Sequence, residues 1–155
     1  MIVFHLALVA TDAAGKIIPP RTKKNSPQIV GRMKRPILLP SEAYREWEKA
    51  ATLTLLKARL IERYMRDGKP ALRLTQGSPI NYDVNARVLI YRHALIGDIV
   101  GYFQAVADFL EHIGVLQNDK HIVSWDGSRM LKDAAHPRYE ITLESVGPVQ
   151  EGFDG

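Results

Sequence analysis

The chain has 155 residues, of which 46% are hydrophobic and 25% are charged, and it contains no cysteine. This length and composition predict one folded domain with a substantial core and exclude fibrous and disordered classes, while the lack of cysteine excludes disulfides, a thiolate nucleophile and cysteine-based zinc sites. A formal net charge of +4 favours polyanionic partners, and the absence of signal-peptide and membrane-span patterns predicts a cytoplasmic protein without membrane contact.

The first predicted element is a buried strand from Ile2 to Ala10, because this stretch is rich in valine, leucine, isoleucine and phenylalanine. We interpret His5 within it as a hydrogen-bonded structural residue. A turn then leads through Pro19 and Pro20 into an irregular loop that cannot be a central strand. Between Ala13 and Ser41 this region has no acidic residue and seven basic ones, which are Lys16, Arg21, Lys23, Lys24, Arg32, Lys34 and Arg35. The segment is either a phosphate contact or a solvated flexible loop.

The second predicted element is a long helix capped by Ser41. Its apolar positions follow the helical period as far as Met65, and we interpret Asp67-Gly68 as its end. Trp47 belongs to the apolar stripe and is interpreted as core packing rather than as a base-stacking platform. A strand with alternating apolar residues is predicted from Ile80 to Arg92.

The stretch from Gly97 to Ile122 contains a predicted amphipathic helix bracketed by acids. Asp98 is placed to cap the first turn and Gly114 to end the helix. Two further strands are predicted, from His121 to Trp125 and from Arg138 to Val146. Together the elements predict an α+β fold in which a small mixed sheet packs with two long helices. Residues 1–146 are predicted to form the domain and residues 147–155 a flexible tail.

This acid-bracketed helix resembles the core motif of the RusA family of phage-type Holliday junction resolvases. In that family Gly-Asp-x-Asp-Asn-x-x-Lys opens the helix, an Asp-Ala-Leu-like triplet lies along it, and Gly-Val-x-x-Asp-Asp-x-x-Ile follows. The corresponding residues are Gly97, Asp98, Val100, Gly101 and Gln104, then Asp108-Phe109-Leu110, then Gly114-Val115, Asn118-Asp119 and Ile122. Shorter matches are Lys23-Lys24-Asn25-Ser26, the pattern around Ser41, Tyr44 and Trp47, and Ser124 to Arg129 with Lys132-Asp133 and Pro137-Arg138.

The resemblance implies a RusA-like homodimer that resolves four-way junctions or other branched DNA in phage or prophage recombination and repair. The reaction would be metal-dependent phosphodiester hydrolysis with Mg²⁺, or with Mn²⁺ in its place. Asp98 and Asp119 would hold the metal, and Lys120 would stabilise charge on the phosphate. Asp108, Asn118, Asp126 and Asp133 would lie around the metal ligands and orient them. DNA contacts would come from Lys23, Lys24, Asn25, Arg92, Arg129, Lys132 and Arg138.

Helix geometry limits which acids can act together. Asp98 and Asp108 would lie about 15 Å apart along a helix, so they cannot share a metal, and a helix through Ile113 would hold Asp98 about 22 Å from the segment that carries Asp119. Either the chain folds back after Gly114, or a two-fold partner completes the pair, and we expect the second.

The chain departs from the family pattern at four positions: Val100 replaces the second acid, Gly101 the asparagine, Gln104 the lysine, and Asn118 the first acid of the later pair. The alternative function is therefore a DNA-binding module that keeps the fold and has lost catalysis.

Overall fold

A mixed sheet with helices packed on one face forms the centre of the molecule. The computed structural model describes residues 1–23, 25–28, 37–40, 42–95 and 97–147. The strands in chain order are β1 (Ile2–Leu8), β2 (Ala10–Thr11), β3 (Ile17–Ile18), β4 (Asn25–Gln28), β5 (Ile37–Pro40), β6 (Ile61–Arg66), β7 (Lys69–Leu74), β8 (Val84–Arg92), β9 (Ile122–Ser124), β10 (Arg129–Lys132) and β11 (Arg138–Ser145). The helices are α1 (Glu42–Lys57) and α2 (Ile99–His112), and a one-turn 3₁₀ helix spans Asp119–His121.

The main sheet has the order β1-β11-β8-β10, and β9 also pairs with β8. Strand β11 is antiparallel to both β1 and β8, whereas β9 and β10 are parallel to β8. Parallel neighbours need a crossover connection, and α2 provides it between β8 and β9. The prediction of an α+β fold with a mixed sheet is confirmed.

The core lies between this sheet and the two helices. Alternate residues of β8 face the helices and are fully buried. These residues are Val84, Ala86, Val88 and Ile90. Trp47 of α1 makes edge contacts with Phe109 of α2 at 4.9 Å and with Tyr139 of β11 at 5.3 Å between ring centroids. Trp47 therefore joins both helices to the sheet, which confirms its prediction as a core residue.

The prediction of two long helices is wrong, because α1 has 16 residues and α2 has 14. Helix α1 ends at Lys57, Arg59 has a φ of 59°, and the chain then forms the β6–β7 hairpin. Both residues of the hairpin turn have positive φ, 50° at Asp67 and 76° at Gly68, as a type I′ turn requires. The Asp-Gly pair is thus a hairpin turn, and the side chains that fit a helical period belong to a strand.

Two other predictions need adjustment, and two more fall outside the described residues. The basic region includes strands β3, β4 and β5, although each occurs only in a two-stranded sheet, as its prolines require. The strand predicted from Ile80 begins at Val84. The capping role of Ser41 and residues 148–155 of the tail lie outside the described residues. Neither described helix combines the length and the hydropathy needed to cross a bilayer.

Candidate metal centre

Helix α2 begins with Asp98, as predicted. The Asp98 carboxylate accepts a hydrogen bond from the Val100 amide at 3.1 Å, and its backbone has the extended conformation of an N-cap. Near the other end of the helix, Asp108 and Glu111 are three residues apart and therefore share one face. The helix thus holds two carboxylates together close to its C-terminus and keeps Asp98 at its N-terminus.

A chain reversal at Gly114 returns the polypeptide towards this acidic face. Gly114 has a φ of 82°, and a Cβ built there would lie 2.8 Å from the Leu72 carbonyl oxygen of β7. Glycine is required on both counts. The Asn118 side chain then accepts a hydrogen bond from the Lys120 amide at 2.9 Å and starts the 3₁₀ turn that carries Asp119.

This reversal brings three carboxylates together. Asp108, Glu111 and Asp119 each offer an oxygen within 4.8 Å of the others, and we call these residues the acid group. Asp98 is not a member, since ten residues of helix separate it from Asp108, or about 15 Å. The chain therefore does fold back after Gly114, but it brings Asp119 close to Asp108. Helix geometry separates Asp108 from Asp98 and does not predict which acid lies near Asp119. The pairing of Asp98 with Asp119 across a dimer stays a prediction.

Lys23 supplies positive charge to the acid group. Its Nζ forms an ion pair with Asp108 Oδ2 at 2.5 Å, and both side chains are one-third exposed. The Lys23 amide donates to the Gly101 carbonyl at 3.4 Å, and a Cβ at Gly101 would lie 3.1 Å from Thr22. The absence of a side chain at position 101 lets this basic segment lie directly on α2.

Tyr44 of α1 completes this side of the site. The Lys23 Nζ lies 5.5 Å from the centroid of its ring, and its hydroxyl donates to Glu48 at 2.9 Å. Burial, reinforced by the negative charges of Glu48 and Asp108, raises the pKa of Tyr44 well above its ordinary value of 10.0. The phenol therefore remains a neutral hydrogen-bond donor throughout the physiological range of pH.

An aromatic pair forms the wall of the adjoining cleft, which has a volume of about 650 Å³. The rings of Phe103 and Trp125 are stacked, with centroids 4.4 Å apart and planes at 4°. Asp108 and Asp119 line the same cleft, as do Val100 and Gln104, two of the residues that depart from the RusA motif. The cleft joins a flat apolar surface to the acid group.

Other predicted acids occupy structural positions. The backbone amide and carbonyl of Asp126 both bond to the Asn85 side chain, so Asp126 lies in a fixed turn. Asp133 pairs with Arg138 at 2.9 Å and accepts from the His136 amide. The hydrogen bond from Arg138 lowers the pKa of Asp133. Neither acid belongs to the acid group.

The predicted DNA contacts are divided between two sides of the sheet. Arg92 donates to the Tyr102 hydroxyl at 2.9 Å on the helix side. The exposed Lys132 of β10 lies opposite Arg92 in the parallel register with β8. Arg138 lies on the opposite face over the Tyr91 ring and also pairs with Glu140. Arg129 shares that outer face, where it lines a cleft with His5 and Glu140.

Three other predicted site residues are Lys24, Asn25 and Lys120. The exposed Lys120 adjoins the acid group. Lys24 and the side chain of Asn25 lie outside the described residues.

Sequence reasoning missed Glu111 as a candidate ligand and missed the Phe103–Trp125 pair. The three-residue spacing of Asp108 and Glu111 on a helix that ends at Gly114 was a usable signal for the first. The stacking of Phe103 on Trp125 depends on how β9 approaches α2, which no local pattern encodes.

No protein-family model matches the chain, and no curated protein matches it. The arrangement of the acid group is thus the basis for a functional argument.

Proposed function

We propose that this chain is a divalent-metal-dependent endodeoxyribonuclease that cuts four-way junctions or other branched DNA. The observation that carries the proposal is the acid group, in which Asp108, Glu111 and Asp119 hold oxygens within 4.8 Å of one another beside an open cleft. Three carboxylates this close together repel one another, and a bound cation would relieve that repulsion.

The chemistry of the donors fits Mg²⁺ or Mn²⁺. Carboxylate oxygens are the hard ligands that these ions prefer, and a site with three of them and open solvent leaves coordination positions for water and phosphate. A bound ion would neutralise phosphate charge and lower the pKa of a coordinated water. Without it the acid group would repel the DNA backbone, so phosphate binding and metal binding are expected to be coupled.

The chain's own residues position this site. Asn118 fixes the turn that presents Asp119, and Lys23 holds Asp108 through its ion pair. Lys120 is exposed next to Asp119 and supplies charge towards an approaching phosphate. The stacked Phe103–Trp125 pair offers an apolar wall against which an unpaired nucleotide can pack.

The RusA-like fold, the homodimer and a role in phage or prophage recombination belong to the same proposal. They are supported by the motif residues around Gly97, Asp98 and Asp119, together with Gly114, whose conformation only glycine adopts freely. A symmetric junction requires two symmetric cuts, which a two-fold dimer would provide.

A second candidate is a DNA-binding module without catalysis. The observation that favours it is the pair of departures from the motif: Val100, 52% exposed, and Gln104 line the cleft where the family pattern has an acid and a lysine. In this case the acid group would be a solvated cluster, and the protein would hold branched DNA without cutting it.

The deciding experiment is cleavage of an end-labelled four-way junction in Mg²⁺ or Mn²⁺ by the wild type, Asp119→Asn, Glu111→Gln and Asp98→Asn. The proposal predicts nicking by the wild type, loss of nicking in the first two variants, and retention in Asp98→Asn, because asparagine caps a helix as well as aspartate does. Binding without nicking by the wild type would establish the second candidate. Loss of nicking in Asp98→Asn and Asp119→Asn, with nicking retained in Glu111→Gln, would instead favour the dimer-completed pair of Asp98 and Asp119.

A further inference from the structure

The β6–β7 hairpin is an arm that the proposed function has not used. Among the described strands, β6 and β7 pair only with each other and form a sheet of their own. The arm is anchored at its base, where Ile61 is 2% exposed, Leu72 and Leu74 pack against the core, and the Thr75 amide donates to the Leu60 carbonyl. Its distal half is exposed.

The arm is strongly cationic towards its exposed end. The arm carries two acidic residues, Glu62 and Asp67. It carries four basic residues, which are Arg63, Arg66, Lys69 and Arg73. The antiparallel register places Arg66 opposite Lys69, and Tyr64 lies two pairs closer to the base on the same face. The guanidinium of Arg73 lies 4.6 Å from the centroid of the Tyr64 ring and 3.7 Å from Glu62. Arg73 is therefore held in place rather than freely rotating.

The arm also forms one side of a large cleft. This cleft has a volume of about 880 Å³, and Arg63, Arg66 and Arg73 line it together with Glu111 at the end of α2. Glu111 belongs to the acid group, whose other members line the cleft that contains Lys23. The acid group thus lies between two clefts, each with cationic side chains in its wall.

We infer that the β6–β7 hairpin is a DNA-binding arm whose arginines contact the phosphates of one strand on the side of the acid group opposite Lys23. Planar guanidinium groups bind phosphate oxygens through two parallel hydrogen bonds, and stacking on Tyr64 reduces the entropy lost by Arg73 on binding. The position of the strand relative to the acid group rests on the proposed function, whereas phosphate binding by the arm does not require catalysis.

The test is a titration of a fluorescein-labelled four-way junction in Ca²⁺ buffer, followed by anisotropy, with probe integrity checked on a denaturing gel. Wild type is compared with Arg63→Gln, Arg66→Gln, Arg73→Gln and the triple variant, each verified as folded by circular dichroism. Arg45→Gln, at an exposed position of α1, removes the same charge elsewhere. Arg73→Lys keeps the charge but removes the planar guanidinium.

The triple variant should raise Kd on the order of tenfold, and the slope of log K against log salt should become shallower by about 1 for each lost phosphate contact. Arg45→Gln should leave both values unchanged, and Arg73→Lys should lose less affinity than Arg73→Gln. Wild-type affinity and salt slope in the triple variant would overturn the inference, as would absence of binding by the wild type. A junction that is bound through the arm but never nicked would overturn the nuclease proposal alone.

Discussion

The carboxylates of Asp108 and Asp119 lie within 4.8 Å of each other, although one belongs to α2 and the other follows the chain reversal at Gly114. The positive φ of Gly114 and the Asn118 cap both shape the segment that connects them.

Gly114→Ala should destabilise the fold and disturb the acid group. The substitution combines a positive φ with a Cβ placed 2.8 Å from a backbone oxygen of β7, so we expect a loss above the 1 to 2 kcal/mol typical of left-handed strain, about 3 kcal/mol. Gly68→Ala is the matched control, because its φ is also positive and nothing lies within 4 Å of the added Cβ. Equal losses in urea unfolding of the two variants would show that the contact with Leu72 is unimportant.

Asp98→Ala should lower the free energy of unfolding by about 1 kcal/mol, since it removes the hydrogen bond to the Val100 amide. Asp98→Asn should restore most of that loss, because asparagine can accept the same bond. Chemical denaturation of the three proteins measures the difference. Equal stabilities of wild type and Asp98→Ala would contradict the capping role.

The two tryptophans should respond differently to substitution. Trp47→Ala removes a buried ring in contact with Phe109 and Tyr139 and should cost about 3 to 5 kcal/mol. Trp125→Ala, at a partly exposed position that stacks on Phe103, should cost less stability but weaken junction binding by about 1 to 3 kcal/mol. Unchanged DNA affinity in Trp125→Ala would remove the aromatic pair from the proposed binding surface.

The ion pair of Asp133 and Arg138 should contribute a pH-dependent part of the stability. The pKa of Asp133 is lowered from its ordinary value of 3.8 by the Arg138 hydrogen bond, so the stabilisation is complete above that value and is lost as the pH falls through the folded-state pKa. Asp133→Asn should therefore be less stable than the wild type at pH 7, with the gap closing in acid. A gap that does not change between pH 7 and pH 2.5 would contradict this assignment.

The sequence predicted those features that depend on local chemistry. The cap at Asp98, the extent of α2, the end of the helix at Gly114 and the burial of Trp47 follow from residue type and period, and each is confirmed. The sequence does not predict the β6–β7 hairpin because Ile61 and Met65 continue the helical period of α1. Only the conformation of Asp67-Gly68 resolves that ambiguity.

The composition of the acid group could not be predicted because it depends on a long-range contact. The direction of the chain after Gly114 depends on the contact between Gly114 and the Leu72 backbone. Leu72 belongs to β7, a strand that the sequence does not predict. The motif resemblance predicts that Asp119 is a metal ligand, and Asp119 lies in the acid group. Its neighbours in this chain are Asp108 and Glu111 rather than Asp98.

The most direct test of the central claim is a Mn²⁺ titration followed by electron paramagnetic resonance, with wild type, Asp119→Asn, Glu111→Gln and Asp98→Asn compared at equal protein concentration. A metal centre made by the acid group predicts saturable binding by the wild type and by Asp98→Asn, and loss of most affinity in Asp119→Asn and Glu111→Gln. Saturable binding that survives both of those substitutions, or that disappears in Asp98→Asn alone, would contradict it.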